Sequence, residues 1–75
     1  MACHDETLAA AQAVLARTGR TRFRIPEVLR EMANSGYAES TIRTHITSRC
    51  CVNSPDHHAV RYRYFRRVGH EYEIA

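Results

Sequence analysis

The sequence predicts a small α+β domain, mainly α, built from a three-helix core, a short strand and a C-terminal β-hairpin. Three observations point there. Apolar residues recur at helical spacing in three segments divided by Gly or Pro. Between the first two segments, Arg20 to Arg24 alternates around Phe23 in β fashion. From Val60, residues rich in Tyr, Phe, Val and Arg run to Val68, break at Gly69-His70 and alternate again through Glu71-Tyr72-Glu73-Ile74.

The first helix is expected from Asp5 to Arg17, after a flexible lead over residues 1–5. Asp5 is the expected cap, and Glu6 complements the dipole. Leu8, Ala11, Val14 and Leu15 share a face, and Gly19 stops the helix. In the strand that follows, Phe23 and Ile25 should point into the core. Ile25 precedes a proline and so is expected to stay extended. The second helix should start at Pro26, a favoured first position. Val28, Leu29, Met32 and Ala33 form its apolar face, with Gly36 as a left-handed cap.

After the turn at Tyr37-Ala38, a third helix is expected from about Glu39, over Ser40 to Cys51. Ile42, Ile46 and Cys50 are spaced by four and face the core. Ser40, Thr44, Thr47, Ser48 and Cys51 fall on the opposite face, with Thr41, Arg43 and His45 on the flanks. A loop broken by Asn53-Ser54-Pro55-Asp56 follows, and Val60 to Tyr64 could hold a helical turn before the hairpin.

With 75 residues the chain makes one small domain, which leaves little room for a pocket of the roughly 300–1,000 Å³ that small molecules need. Together with the absence of a phosphate-cradling Gly-rich loop, this argues against an enzyme, a cofactor and a small-molecule substrate. The composition, 44% hydrophobic and 25% charged, is that of a folded domain. No apolar run is long enough for a membrane span, and the acidic N-terminus lacks a secretory h-region, so a cytoplasmic location is expected. The three cysteines, two of them adjacent, form no disulfide framework.

The net charge is +3 and all eleven basic residues are arginine. Arginine suits bidentate phosphate and guanine contacts, although a GC-rich genome also favours it over lysine. The arginines cluster at 17–24 and 61–67, on either side of the hydroxyl-rich third helix, which suggests two sides of a phosphate-gripping surface.

Pro26 to Ile46 reads I-P-E-V-L-R-E-M-A-N-S-G-Y-A-E-S-T-I-R-T-H-I when taken from Ile25, and the chain closes R-R-V-G-H-E-Y-E-I. In this order and at this length the chain resembles the winged-helix family over nearly its whole span, from about Thr7 to Ile74. It is also similar to small bacterial domains of unassigned function that share its T-I-R-T-H and P-D-H-H-A-V stretches. The winged-helix resemblance implies a third helix lying in the major groove of double-stranded DNA and a hairpin wing touching backbone or minor groove. It puts Ser40, Thr41, Arg43, Thr44, Thr47 and Ser48 near DNA. Arg66, Arg67 and His70 would sit on the wing, and Arg22 would add from the first basic cluster. Arg43 is the expected base reader. One departure is Ala38 where many such units carry a Ser, Thr or Asp cap. The implied role is a bacterial transcriptional regulator or targeting module, nucleoid-associated when bound to DNA. The alternative is a protein-interaction module, or a homodimer, on the same scaffold.

Three other site chemistries are weaker. Cys50-Cys51 with His57-His58 invites zinc, but adjacent pairs do not match ligand spacing. A Cys51–His nucleophile pair lacks an orienting group and an oxyanion hole. Tyr62, Tyr64, Phe65 and Tyr72 suggest a base-stacking platform, but only two of them would share a face.

Overall fold

The computed structural model describes residues 2–53 and 62–75. Helix α1 (Cys3–Thr18) is followed by β1 (Arg22–Phe23), α2 (Ile25–Glu31) and α3 (Glu39–Thr44). A π-helical turn, His45–Arg49, continues α3, and β2 (Phe65–Val68) and β3 (Glu71–Ile74) close the fold. The three helices pack with an antiparallel three-stranded sheet of order β1-β3-β2, which establishes an α+β fold.

Helix α1 starts two residues before the expected Asp5. Ala2 caps it through its backbone alone, and Asp5 and Glu6 occupy the first turn, where the dipole favours carboxylates. Residues 3–5 therefore belong to the helix instead of preceding it. The helix buries Thr7, Ala10, Ala11 and Val14. The Thr7 hydroxyl, fully buried, donates to the Cys3 carbonyl at 2.8 Å, so its burial leaves no polar group unmet. Gly19 ends the helix at φ 71°, its N–H donating to the Leu15 carbonyl.

Ile25 departs from expectation: it is the first residue of α2, and Pro26 is the second. The Arg24 N–H donates to the Glu27 carboxylate at 2.9 Å, and the Glu27 N–H donates to the Arg24 carbonyl at 3.0 Å. These two bonds set the helix start one residue early, against the mild preference of a pre-proline residue for extended backbone. Ile25 is half-buried and packs against the core cluster that contains Phe23, without being enclosed as Phe23 is. Burial acts to raise the Glu27 pKa. The Arg24 backbone bond and the guanidinium groups of Arg20 and Arg24 outweigh it, so the carboxyl sits below its usual range. Glu27→Ala is expected to destabilise the domain by about 1 kcal/mol, measured by denaturant titration at pH 7. Because the folded group is the stronger acid, this contribution is present above the ordinary carboxyl range and disappears as pH falls through the depressed one. An equal cost for Glu27→Ala at pH 7 and at pH 2 would contradict the charged cap.

Helix α2 stops at Glu31, and the chain turns through Met32 to Asn34. Gly36, at φ 88°, lies beyond that turn. It redirects the chain toward α3 and does not cap α2, because Met32 already closes the helix with its N–H on the Val28 and Arg30 carbonyls. Met32 and Val28 are buried, Leu29 is half-buried and Ala33 is exposed.

Ala38 caps α3 without a side-chain bond, its carbonyl taking the Thr41 and Ile42 N–H groups at 3.1 Å each. Side chains then compete for backbone acceptors. Thr44 donates to the Ser40 carbonyl at 2.9 Å, His45 to Thr41 at 2.8 Å and Thr47 to Arg43 at 2.8 Å. Such back-bonding loosens a helix, and the turn from His45 widens until the Cys50 N–H bonds the His45 carbonyl. Ile42, Ile46 and Cys50 are buried as the spacing predicts.

Cys51 is a correction. It was expected on the exposed face, yet it is completely buried. The helix has already ended, with Cys50 leaving helical geometry at φ −114°, ψ 5°, so the helical wheel no longer applies. Cys51 instead bridges Phe65 in parallel, with the Phe65 N–H on the Cys50 carbonyl and the Val52 N–H on the Phe65 carbonyl, both at 2.8 Å.

The hairpin turns at Gly69, φ 63°. Its first strand begins at Phe65, and Tyr62 to Tyr64 run without helical structure. The expected loop at Ser54–Ala59, with His57 and His58, and the start of the first strand at Val60 lie outside the described residues. Phe23 pairs with Tyr72, and Phe65 with Ile74, so Phe23, Phe65 and Tyr72 share the inner sheet face. Phe23 meets Phe65 edge-on at 5.2 Å and stacks with Tyr72 at 6.0 Å.

Candidate nucleic-acid interface

The outward side of α3 and its π turn is a continuous polar surface. Ser40, Thr41, Arg43, Thr44 and Arg49 are exposed, and His45, Thr47 and Ser48 are half-buried. Their donors are not equivalent. Thr44 and Thr47 have spent their hydroxyl protons on backbone carbonyls, so each offers only lone pairs and a methyl group. These suit base-edge amino groups or a thymine methyl better than a phosphate. Ser40 and Thr41 make no side-chain hydrogen bond to a described residue, so their hydroxyls remain free to donate.

The arginines divide just as clearly. Arg17 pairs with Glu31, and Arg20 with Glu27. Arg22 lies 3.6 Å from Glu73, and Arg24 lies 3.5 Å from Glu71. The whole 17–24 cluster is thereby matched to carboxylates of α2 and β3, and it does not form the free cationic flank that its density in the chain suggested. No described carboxylate pairs with Arg43, Arg49, Arg63 or Arg66.

The hairpin residues also separate. The register aligns Arg66, Glu73 and Arg22 in one row across the outer sheet face. Arg67 pairs with Tyr72 and belongs to the other face, where its guanidinium donates to the Gly69 carbonyl at 3.0 Å. Period-two alternation therefore prevents Arg66 and Arg67 from presenting one surface. Asn53 holds the Arg67 backbone from both sides, accepting its N–H at 2.8 Å and donating to its carbonyl at 2.9 Å. His70 is exposed in the turn. Arg22 is tied to the sheet through Glu73.

Two residues not chosen from the sequence join the site. His45 and Arg49 line a shallow depression of about 290 Å³ together with Ser40, Thr41 and Thr44. The four-residue spacing of Thr41, His45 and Arg49 was the available signal.

Phe65 and Tyr72 are core residues, so the four aromatics do not form a stacking platform. Tyr62 and Tyr64 stack on each other at 5.6 Å, and His4 covers Tyr62 at 3.8 Å. The Tyr64 hydroxyl donates to Asp5 at 3.3 Å. Burial, followed by the Asp5 charge, raises the Tyr64 pKa. Cys50 is held as a neutral thiol, pushed up to about 12 by burial and next by Cys3. Among the described residues, no group of three or more His, Cys, Asp or Glu side chains could hold a metal ion, and no helix is long and apolar enough to cross a membrane.

Comparison with protein-family models, curated proteins and solved structures gives no match to this chain.

Proposed function

We propose that this chain is a winged-helix domain that binds double-stranded DNA, with α3 and its π turn in the major groove and the β2–β3 hairpin as the wing. It would act as a transcriptional regulator or a targeting module. The element order and the β1-β3-β2 sheet agree with that layout. The observation that carries the reading is the division of the arginines. Those at 17–24 are committed to carboxylates, whereas Arg43 and Arg49 stand among hydroxyls on α3 and its turn with no described carboxylate paired to them. Exposed cations beside acceptor-only threonines suit a groove that has phosphates at its rim and base edges at its floor.

Titration of labelled duplexes by fluorescence anisotropy tests this. Affinity should fall at least about tenfold between 50 and 200 mM salt, the loss expected of two or more phosphate contacts. On a site selected from randomised duplexes, Arg43→Ala should cost about 1–3 kcal/mol and relax specificity at one position. A domain that shows no salt-sensitive duplex binding is not a DNA-binding module, and the protein-interaction reading then takes its place.

A further inference from the structure

Within the DNA-binding reading, on which this step rests, the geometry points to the depression lined by Ser40, Thr41, Thr44, His45 and Arg49 as the seat of one backbone phosphodiester. Arg49 supplies the charge, and Ser40 and Thr41 supply the hydrogen bonds.

Four features of the depression support this. No described carboxylate lines it, whereas Glu27, Glu31, Glu71 and Glu73 each neutralise an arginine elsewhere. Among the described residues, the Ser40 and Thr41 hydroxyls and the Arg49 guanidinium have no side-chain partner, a donor set that matches the acceptor-only oxygens of a phosphodiester. The His45 ring is fixed as a wall: its Nδ1 donates to the Thr41 carbonyl at 2.8 Å, with the Cys3 sulfur 3.9 Å from the same nitrogen. Arg49 also rises from a fixed point, because its carbonyl accepts the Tyr62 N–H at 3.1 Å. Little backbone order would have to be gained on binding.

The depression also lies on one flank of the helix. Arg43 and Thr47 occupy the other flank, and Thr44 and Ser48 lie between them. A helix seated in a groove meets base edges along its middle and a sugar–phosphate strand at its side. The two arginines of the helix thus have different tasks. Arg49 grips backbone irrespective of sequence, and Arg43 reads.

Anisotropy titrations with the wild-type domain, Arg49→Gln and Arg49→Lys, on several unrelated duplexes and across a salt series, test the assignment. Arg49 is exposed, so all three proteins should fold, as checked by circular dichroism. Arg49→Gln should lower affinity about equally on every duplex and reduce the salt slope by about one. At 0.1 M salt one lost counterion release alone amounts to roughly tenfold. Arg49→Lys should restore the slope. Wild-type binding with an unchanged slope in Arg49→Gln overturns the phosphate seat and leaves the DNA reading standing. A loss confined to particular sequences also overturns it, because Arg49 would then touch a base. Absence of salt-sensitive binding by the wild type removes both.

Discussion

Phe23→Ala should cost about 3–5 kcal/mol of folding free energy, the usual cost of truncating a fully enclosed phenylalanine. Phe23 is 0% exposed. Its ring packs edge-on against Phe65 and stacks with Tyr72, and thereby joins β1 to both strands of the hairpin. Such aromatic pairs contribute beyond the area they bury. A domain of 75 residues has about 4–11 kcal/mol in total at the usual 0.05–0.15 kcal/mol per residue. Removing one ring should therefore leave a substantially unfolded population at 37 °C. The guanidinium midpoint should fall with the m-value unchanged, since the surface exposed on unfolding is nearly the same. A cost below about 1 kcal/mol would mean that the sheet does not close over this ring.

Cys50 in the folded protein should react with iodoacetamide at pH 8 at least about a thousandfold more slowly than in the unfolded chain. The thiolate is the reacting species. Burial, next Cys3, raises the thiol from 9.0 to about 12, which lowers the thiolate population by about a thousand at that pH. Cys51, equally enclosed, should be protected by exclusion of the reagent, whereas the half-buried Cys3 labels first. Peptide mapping by mass spectrometry after timed alkylation reads all three sites. Labelling of Cys51 at the unfolded-chain rate would restore it to the exposed helix face. The same shift gives a pH dependence. Between 9 and 12 the unfolded chain loses the Cys50 proton and the folded chain keeps it, so stability should fall as pH rises through this window. Tyr72 is raised by burial and acts in the same direction.

Side-chain chemistry read along the chain accounts for most of the architecture. Helical spacing made Ile42, Ile46 and Cys50 a buried stripe, Gly19 a helix stop, and Gly69 the turn of a hairpin. These are local properties, set by backbone conformation and periodicity within a few residues. The hydroxyl surface of α3 follows for the same reason, since it is the complement of the buried stripe.

Tertiary structure decided which charges are free. Arg17, Arg20, Arg22 and Arg24 formed the densest basic cluster of the N-terminal half, but their carboxylate partners come from α2 and β3, and only folding brings those to them. Arg66 and Arg67 are adjacent in sequence, yet the pairing register puts them on opposite sheet faces. Cys51 turned inward because the helix ended before it and the chain joined Phe65. The amino-acid sequence by itself determined where the helices and strands lie to within a few residues, which faces are apolar and that Gly19 and Gly69 turn the chain. The fold determined which arginines keep a free charge, because ion pairing depends on distances between segments that spacing along the chain does not encode.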